Sequence, residues 1–240
     1  MIFSDRRVPT GIDGLDIMLR GGFPLNSIVL ICGGSGAGKT IFSLQYIVSA
    51  LRRGESCVYV CFEEPVAKKY GYADSFGWDF DVADKNGLLI PLEFKIIHNN
   101  KFSLNQNVGN PNYNIEQSII EAVQKTKAKH VVIDSLTSIL VQESKSDGIR
   151  QAVNQLYEAV RLLRCNAVIT SEGVPNKGVF YMEQFLSDGV IIMSREVREF
   201  HLIKTILVDK MRGIAFDDQP RRYSISEKGI QVFNSEPVLM

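Results

Sequence analysis

The segment Gly33-Gly34-Ser35-Gly36-Ala37-Gly38-Lys39-Thr40 fits G-x-x-x-x-G-K-[ST] and directly follows the apolar run from Ser27 to Cys32. A strand-like run that enters a glycine-rich turn and leaves as a helix has few ways to fold, and this one reads as a phosphate cradle. The glycines let the backbone curl so that successive N–H groups point inward, and the helix that follows adds the positive end of its dipole. Residues Gly33 to Ile41 are therefore the candidate nucleotide contacts. Lys39 is expected to reach the β- and γ-phosphates, and Thr40 to offer its hydroxyl to Mg²⁺, a small hard cation that shares oxygen ligands with the nucleotide. Ile41-Phe42-Ser43-Leu44-Gln45-Tyr46-Ile47 continues as the expected helix.

At 240 residues the chain suits one large α/β domain over 1–240, with a second domain cramped. A hydrophobic share of 45% with 22% charged residues argues against global disorder. The formal net charge is zero, so a nucleic-acid partner needs a local basic patch rather than overall charge. No opening stretch joins a charged start to an apolar core and a cleavage site, and no apolar run approaches a membrane span, which predicts a cytoplasmic protein. Cys32, Cys57, Cys61 and Cys165 each lie in or beside an apolar run. Cys57 and Cys61 share one face of a strand, a spacing unlike a metal-binding turn, so all four read as buried reduced thiols.

Short β-branched runs alternate with longer amphipathic segments, which predicts a mostly parallel central sheet flanked by helices. The strands fall at 27–32, 57–62, 88–92, 130–134, 166–170, 189–193 and 202–209, and the helices at 39–52, 64–76, 115–127 and 148–164. In the last helix Ala152, Leu156, Ala159, Val160, Leu162 and Leu163 form a core-facing stripe. Gly54, after Arg52-Arg53, is a stop for the first long helix. The stretch 98–114 is rich in Asn and loses apolar periodicity, as expected of a flexible surface insertion. Gln219 to Phe233 reads as a C-terminal antiparallel ribbon turning through Glu227-Lys228-Gly229.

Two further groups belong with the phosphate loop. Val131-Val132-Ile133-Asp134 is an apolar strand ending in a carboxylate, and with a phosphate loop upstream Asp134 becomes the second candidate Mg²⁺ residue. Cys61-Phe62-Glu63-Glu64-Pro65 ends another strand, at the edge where open α/β sheets bind ligands. There Glu63, and secondarily Glu64, could polarise a water for attack on the γ-phosphate. The alternative is that both carboxylates merely cap the next helix.

Together with Thr10-Gly11-Ile12-Asp13-Gly14-Leu15-Asp16, Gly21-Gly22-Phe23-Pro24, Ser187-Asp188-Gly189-Val190-Ile191-Ile192 and Lys210-Met211-Arg212-Gly213, these motifs make the chain resemble the RecA-like P-loop NTPases of the KaiC family. It resembles a single KaiC-type domain, such as an archaeal single-domain KaiC-like or RadA-paralogue protein. The resemblance implies a Mg²⁺-dependent ATPase binding ATP and ADP, and ATP rather than GTP follows from it alone. It also implies a homo-oligomer, a hexameric ring or filament with shared sites, in which Lys210 and Arg212 reach a neighbour's γ-phosphate and act catalytically beside Lys39, Glu63 and Glu64. Alternatively, Lys210 and Arg212 lie on the solvent face of a strand. Ile214-Ala215-Phe216 replace the Thr, Ser and His that the family pattern carries after Lys-x-Arg-Gly, and Gln184 and Phe185 replace an autophosphorylated Ser-Thr pair.

Lys145 and Arg150 in one loop, and Lys177 with Phe180 and Tyr181 in another, are candidates for contacts to single-stranded DNA, where cations track phosphates and rings stack on bases. Glu143, Asp147, Glu172 and Glu183 stand close by in sequence and nearly cancel that charge. The leading expectation is a slow ATPase that uses ATP to control assembly or partner binding. The alternatives are a RadA-paralogue DNA-repair accessory protein and a nucleotide-gated regulator that does not hydrolyse.

Overall fold

The computed structural model describes residues 7–62, 64–97, 101–104, 114–142, 146–173 and 182–237. In chain order the elements are β1 (Arg7–Val8), α1 (Asp13–Met18), β2 (Phe23–Pro24), β3 (Ile28–Gly33), α2 (Lys39–Arg52), β4 (Cys57–Cys61), α3 (Val66–Asp74), α4 (Phe80–Lys85), β5 (Leu89–Ile97) and β6 (Lys101–Leu104). They continue with α5 (Ile115–Thr126), β7 (His130–Asp134), α6 (Thr137–Gln142), α7 (Ser146–Leu162), β8 (Asn166–Ser171), α8 (Met182–Leu186), β9 (Gly189–Arg198), β10 (His201–Met211), β11 (Arg221–Ser226) and β12 (Gly229–Pro237).

The apolar runs become strands because both of their faces are covered. Along β4, Cys57, Tyr59 and Cys61 enter one core while Val58 and Val60 enter the other. Along β3, Val29 and Ile31 separate in the same way from Ile28, Leu30 and Cys32. One core lies under α1, α2 and α3, and the opposite core under α5 and α7. The sheet order is β12-β11-β10-β9-β3-β8-β7-β4-β5-β6. The six strands from β9 to β5 are parallel, and β10, β11, β12 and β6 extend the two edges antiparallel. All four cysteines are buried and unpaired, as expected. No helix among the described residues is long and apolar enough to cross a membrane.

Several sequence expectations change. The strand expected at 88–92 runs on to Ile97, and β6 pairs with it antiparallel, so 101–104 of the expected insertion is strand. The rest of that insertion, save Asn114, lies outside the described residues. Asn114 caps α5, its side chain accepting from the Glu116 and Gln117 amides. The helix expected over 64–76 is shorter, α3 beginning only at Val66, because the preceding Pro65 is held extended at φ −56°, ψ 143°. On α7 the buried stripe is Val153, Leu156, Tyr157 and Val160, whereas Leu162 is 79% exposed, about half a turn from the middle of that stripe. Arg150, expected in a loop, is an exposed residue of α7, and Lys145, Lys177, Phe180 and Tyr181 lie outside the described residues.

The C-terminal ribbon is longer than expected and belongs to the main sheet through β10. It also ties the N-terminal segment to the phosphate loop. The Gln45 amide of α2 donates to the carbonyls of Gly11 (2.9 Å) and Ile230 (3.2 Å), and its Oε1 accepts from the Ile230 amide at 2.7 Å. The Thr10-to-Asp16 motif is structural. Asp16 accepts from the amides of Thr10 and Gly11 at 2.8 and 3.3 Å, and Thr10 Oγ1 from Ile12 N at 3.1 Å.

Candidate nucleotide site

β3 ends at Gly33 and the chain turns through the loop into α2, with Gly38 at the N-cap in the left-handed region, φ +96°. Only glycine enters that region without strain. The Tyr223 hydroxyl of β11 braces the loop from behind by donating to the Ala37 carbonyl. Lys39 Nζ folds over the loop and donates to the carbonyls of Gly33 and Gly34 at 2.8 and 3.1 Å, with Glu172 Oε1 3.7 Å away. Thr40, in the first turn of α2, donates from Oγ1 to Asp134 Oδ2 at 3.1 Å.

Asp134 ends β7, and β8 lies between β7 and β3. The carboxylate therefore reaches across one strand, guided by its partners. Thr170 of β8 donates to Oδ1 at 2.7 Å, and the Tyr59 hydroxyl of β4 to Oδ2 at 3.3 Å. The result is a buried carboxylate beside the Thr40 hydroxyl, a pair of hard oxygens suited to Mg²⁺. Among the described residues no cluster of three or more His, Cys, Asp or Glu has metal-binding geometry, so a cation held here would complete its shell with phosphate oxygens and water.

Sequence reasoning missed Lys69. Its ammonium stands 2.9 Å from Asp134 Oδ2, 3.1 Å from Glu64 Oε2 and 3.5 Å from Thr40 Oγ1, and its side chain is 4% exposed. Burial works against its charge, but the Asp134 and Glu64 carboxylates outweigh that and raise its pKa. The signal was helical spacing: Val66, Lys69 or Tyr70, and Ala73 mark the inward stripe of α3, while neighbouring Lys68 is 55% exposed. Thr170 and Tyr59 were also missed, since nothing in a buried strand distinguishes a hydroxyl that touches a carboxylate.

Glu64 precedes α3 and lines the same cleft, but does not cap the helix. The first amide of α3, at Val66, donates instead to Glu93 Oε2 at 2.9 Å. Burial opposes ionisation of Glu64, yet Lys68, Lys69 and Tyr72 all donate to it and bring its pKa down to about 2. A carboxylate so tightly held accepts a proton poorly at neutral pH. Glu63 lies outside the described residues. The cleft itself, about 260 Å³, is lined by Lys39, Thr40, Glu64, Lys69, Asp134 and Glu172, among others.

Lys210 and Arg212 do not join this cleft. Lys210 pairs with Val190 near the start of the parallel strands, opposite the end that carries the loop. Its ammonium donates to the carbonyls of Gln184, Phe185 and Ser187 at 3.0, 3.3 and 2.6 Å, and burial, with Arg212 nearby, lowers its pKa. Arg212 is half exposed and lies 3.7 Å from Asp188. Asp188 closes the sheet here, exchanging two hydrogen bonds with Ile28, which explains the Ser187-Asp188 motif structurally.

The KaiC ATPase family model matches residues 8–237. The chain is 32% identical to a UPF0273 protein of Thermotoga maritima, covering 96% of this chain and 97% of that one. It is 31% identical to the circadian clock protein KaiC3 of Synechocystis, over 94% of this chain but 45% of the clock protein. Among solved structures, a KaiC-like protein of Pyrococcus horikoshii superposes with a TM-score of 0.83 at 29% identity, covering 95% of this chain and 99% of that one.

Proposed function

We propose that this chain, which belongs to the KaiC ATPase family, binds ATP with Mg²⁺, hydrolyses it slowly, and uses the nucleotide to control its own assembly or a partner's binding. The observation that carries the reading is the Thr40–Asp134 contact of 3.1 Å at the mouth of the phosphate loop. It joins the loop to a buried carboxylate two strands away in the sheet and sets two hard oxygens side by side, where a phosphate-bound cation would need them. Thr40 and Asp134 would hold Mg²⁺, which supplies charge to offset that of the β- and γ-phosphates. The loop amides and Lys39 bind and orient those phosphates. Glu63, which follows Phe62 in the chain, is the proposed group that takes the proton from the attacking water.

The position of Arg212 at the far end of the sheet supports a shared site, since within one chain it has no route to the phosphates. A second copy that presents this edge to the cleft would place Arg212 against the γ-phosphate, while Lys210 stays bound to its three carbonyls and stiffens that edge.

Subunit mixing tests the reading. Lys39→Ala should lose ATP binding, and Arg212→Ala should lose turnover by about 10³-fold while still binding ATP. Mixing the two should restore part of the activity, because some interfaces then pair an intact loop with an intact Arg212. Full activity of Arg212→Ala alone would remove the shared site, and normal ATP affinity of Lys39→Ala would remove the nucleotide site. Single-stranded DNA should leave turnover unchanged; a salt-sensitive stimulation would favour the DNA-repair reading instead.

A further inference from the structure

Lys69 places a positive charge where the candidate metal site has its oxygens. Its ammonium touches Asp134 Oδ2 at 2.9 Å and Thr40 Oγ1 at 3.5 Å, the two atoms assigned to Mg²⁺, and Glu64 Oε2 at 3.1 Å. These oxygens come from three separate elements, β7, α2 and the turn before α3. The pair is nearly sealed from water, with Lys69 at 4% and Asp134 at 5% side-chain exposure. An ammonium and a divalent ion cannot share the same carboxylate oxygen at contact distance, because their repulsion is poorly screened in so dry a place.

We infer that Lys69 is a built-in counter-cation of the nucleotide site, holding the metal position and competing with Mg²⁺ for Asp134. The inference rests on the reading of Thr40 and Asp134 as the metal residues. Two consequences follow from the geometry. Without metal, Lys69 already neutralises Asp134, so a triphosphate approaching the loop does not meet a bare carboxylate. With metal, Mg²⁺ must displace the ammonium, which has Glu64 as a second anchor that is not a metal ligand. Both effects act in one direction: they weaken the coupling between Mg²⁺ and nucleotide. Glu64 is then a positioning residue, the place to which the ammonium retreats. This accounts for a half-buried carboxylate that accepts from Lys68, Lys69 and Tyr72 together.

The experiment is the affinity of the full chain for a non-hydrolysable ATP analogue, by calorimetry, in Mg²⁺ and in EDTA. In the wild-type protein, removing Mg²⁺ should weaken binding by no more than about threefold, and in Lys69→Gln, which keeps a hydrogen-bond donor but no charge, by about tenfold or more. Lys69→Met should behave like Lys69→Gln. Should neither variant fold, the wild-type ratio decides alone, and a loss of about tenfold or more on removing Mg²⁺ overturns the proposal. An equal ratio in wild type and a folded variant overturns it as well. Absence of analogue binding to the wild type under both conditions refutes the nucleotide site, on which the proposal depends; binding that Lys39→Ala abolishes, combined with a steep wild-type Mg²⁺ dependence, refutes the role of Lys69 alone.

Discussion

The Thr170 hydroxyl donates to Oδ1 of Asp134 at 2.7 Å, from the strand that lies between the phosphate loop and the carboxylate. That bond turns the other oxygen, Oδ2, toward Thr40 and Lys69. Thr170 therefore acts on any bound cation through Asp134.

Replacing Thr170 with Val removes the bond and leaves the shape. The Mg²⁺ concentration for half-maximal turnover should rise about 10–100-fold, the usual effect of losing a group that orients a metal ligand. Turnover at saturating Mg²⁺ should fall much less. A Mg²⁺ titration of the variant that overlays the wild type would show that Asp134 is oriented without it.

Glu63 and Glu64 are adjacent in the chain, and only Glu63 carries the proposed role of base. Because its three donors hold Glu64 at a pKa of about 2, it stays ionised and bound across the working range. Glu63→Gln is expected to slow single-turnover hydrolysis by about 10²-fold or more with ATP binding intact, and Glu64→Gln by less than about tenfold. Equal losses would reverse the assignment of the base.

Stability should fall in mild acid through His130. Its ring is buried at the start of β7, with the Tyr46 hydroxyl 2.8 Å from Nδ1 and Glu55 Oε2 3.0 Å from Nε2. This network suits a neutral imidazole that accepts from Tyr46 and donates to Glu55. Burial depresses the His130 pKa below its ordinary 6.5 despite the Glu55 carboxylate, so the unfolded chain takes up the proton first. The contribution of His130 is therefore complete above about pH 6.5 and is lost as the pH falls below it. Glu55 is also depressed, to about 2, where the hydrogen bonds from His130 and Arg53 overcome its burial. Its contribution is present above the ordinary carboxylate range and is lost only toward pH 2. Urea midpoints should drop as the pH falls from about 6.5 to 5.5, and the drop should flatten in His130→Gln; an unchanged slope would assign the effect elsewhere.

Gly14 of α1 packs against β12 so closely that a Cβ there would sit 2.2 Å from the Val232 carbonyl oxygen. Gly14→Ala must push helix and strand apart. A loss of about 1–3 kcal/mol in urea unfolding is expected. A variant as stable as wild type would mean that α1 is not docked on β12.

Much of this could be read along the chain, because the signals are local. Gly33 to Thr40 specify a loop by their own backbone needs, and the apolar runs around Val29, Val58, Val131 and Val168 specify strands covered on both faces. Asp134 stands beside Thr40, and it drew attention in the sequence because an apolar strand ending in a carboxylate takes on meaning downstream of a phosphate loop. The short α1, α4, α6 and α8 escaped because helices of 5 or 6 residues carry too little periodicity. Leu162 was misplaced onto the core because its apolar side chain suggested burial, although it lies on the side of α7 opposite the buried stripe.

The sequence by itself therefore determined an α/β domain of the KaiC type and the glycine-rich loop that leads from β3 into α2, both of which depend on residues close in the chain. Only the tertiary structure decided that Lys69 joins them while Lys68 points to water, since that choice rests on which side of α3 faces Asp134, 65 positions away. It also decided that Lys210 and Arg212 stand apart from the loop, because strand order and direction send β10 to the opposite end of the sheet. Charge placement across a fold is set by packing between distant segments; helical spacing turns Lys69 inward on α3, but only that packing sets Asp134 in front of it.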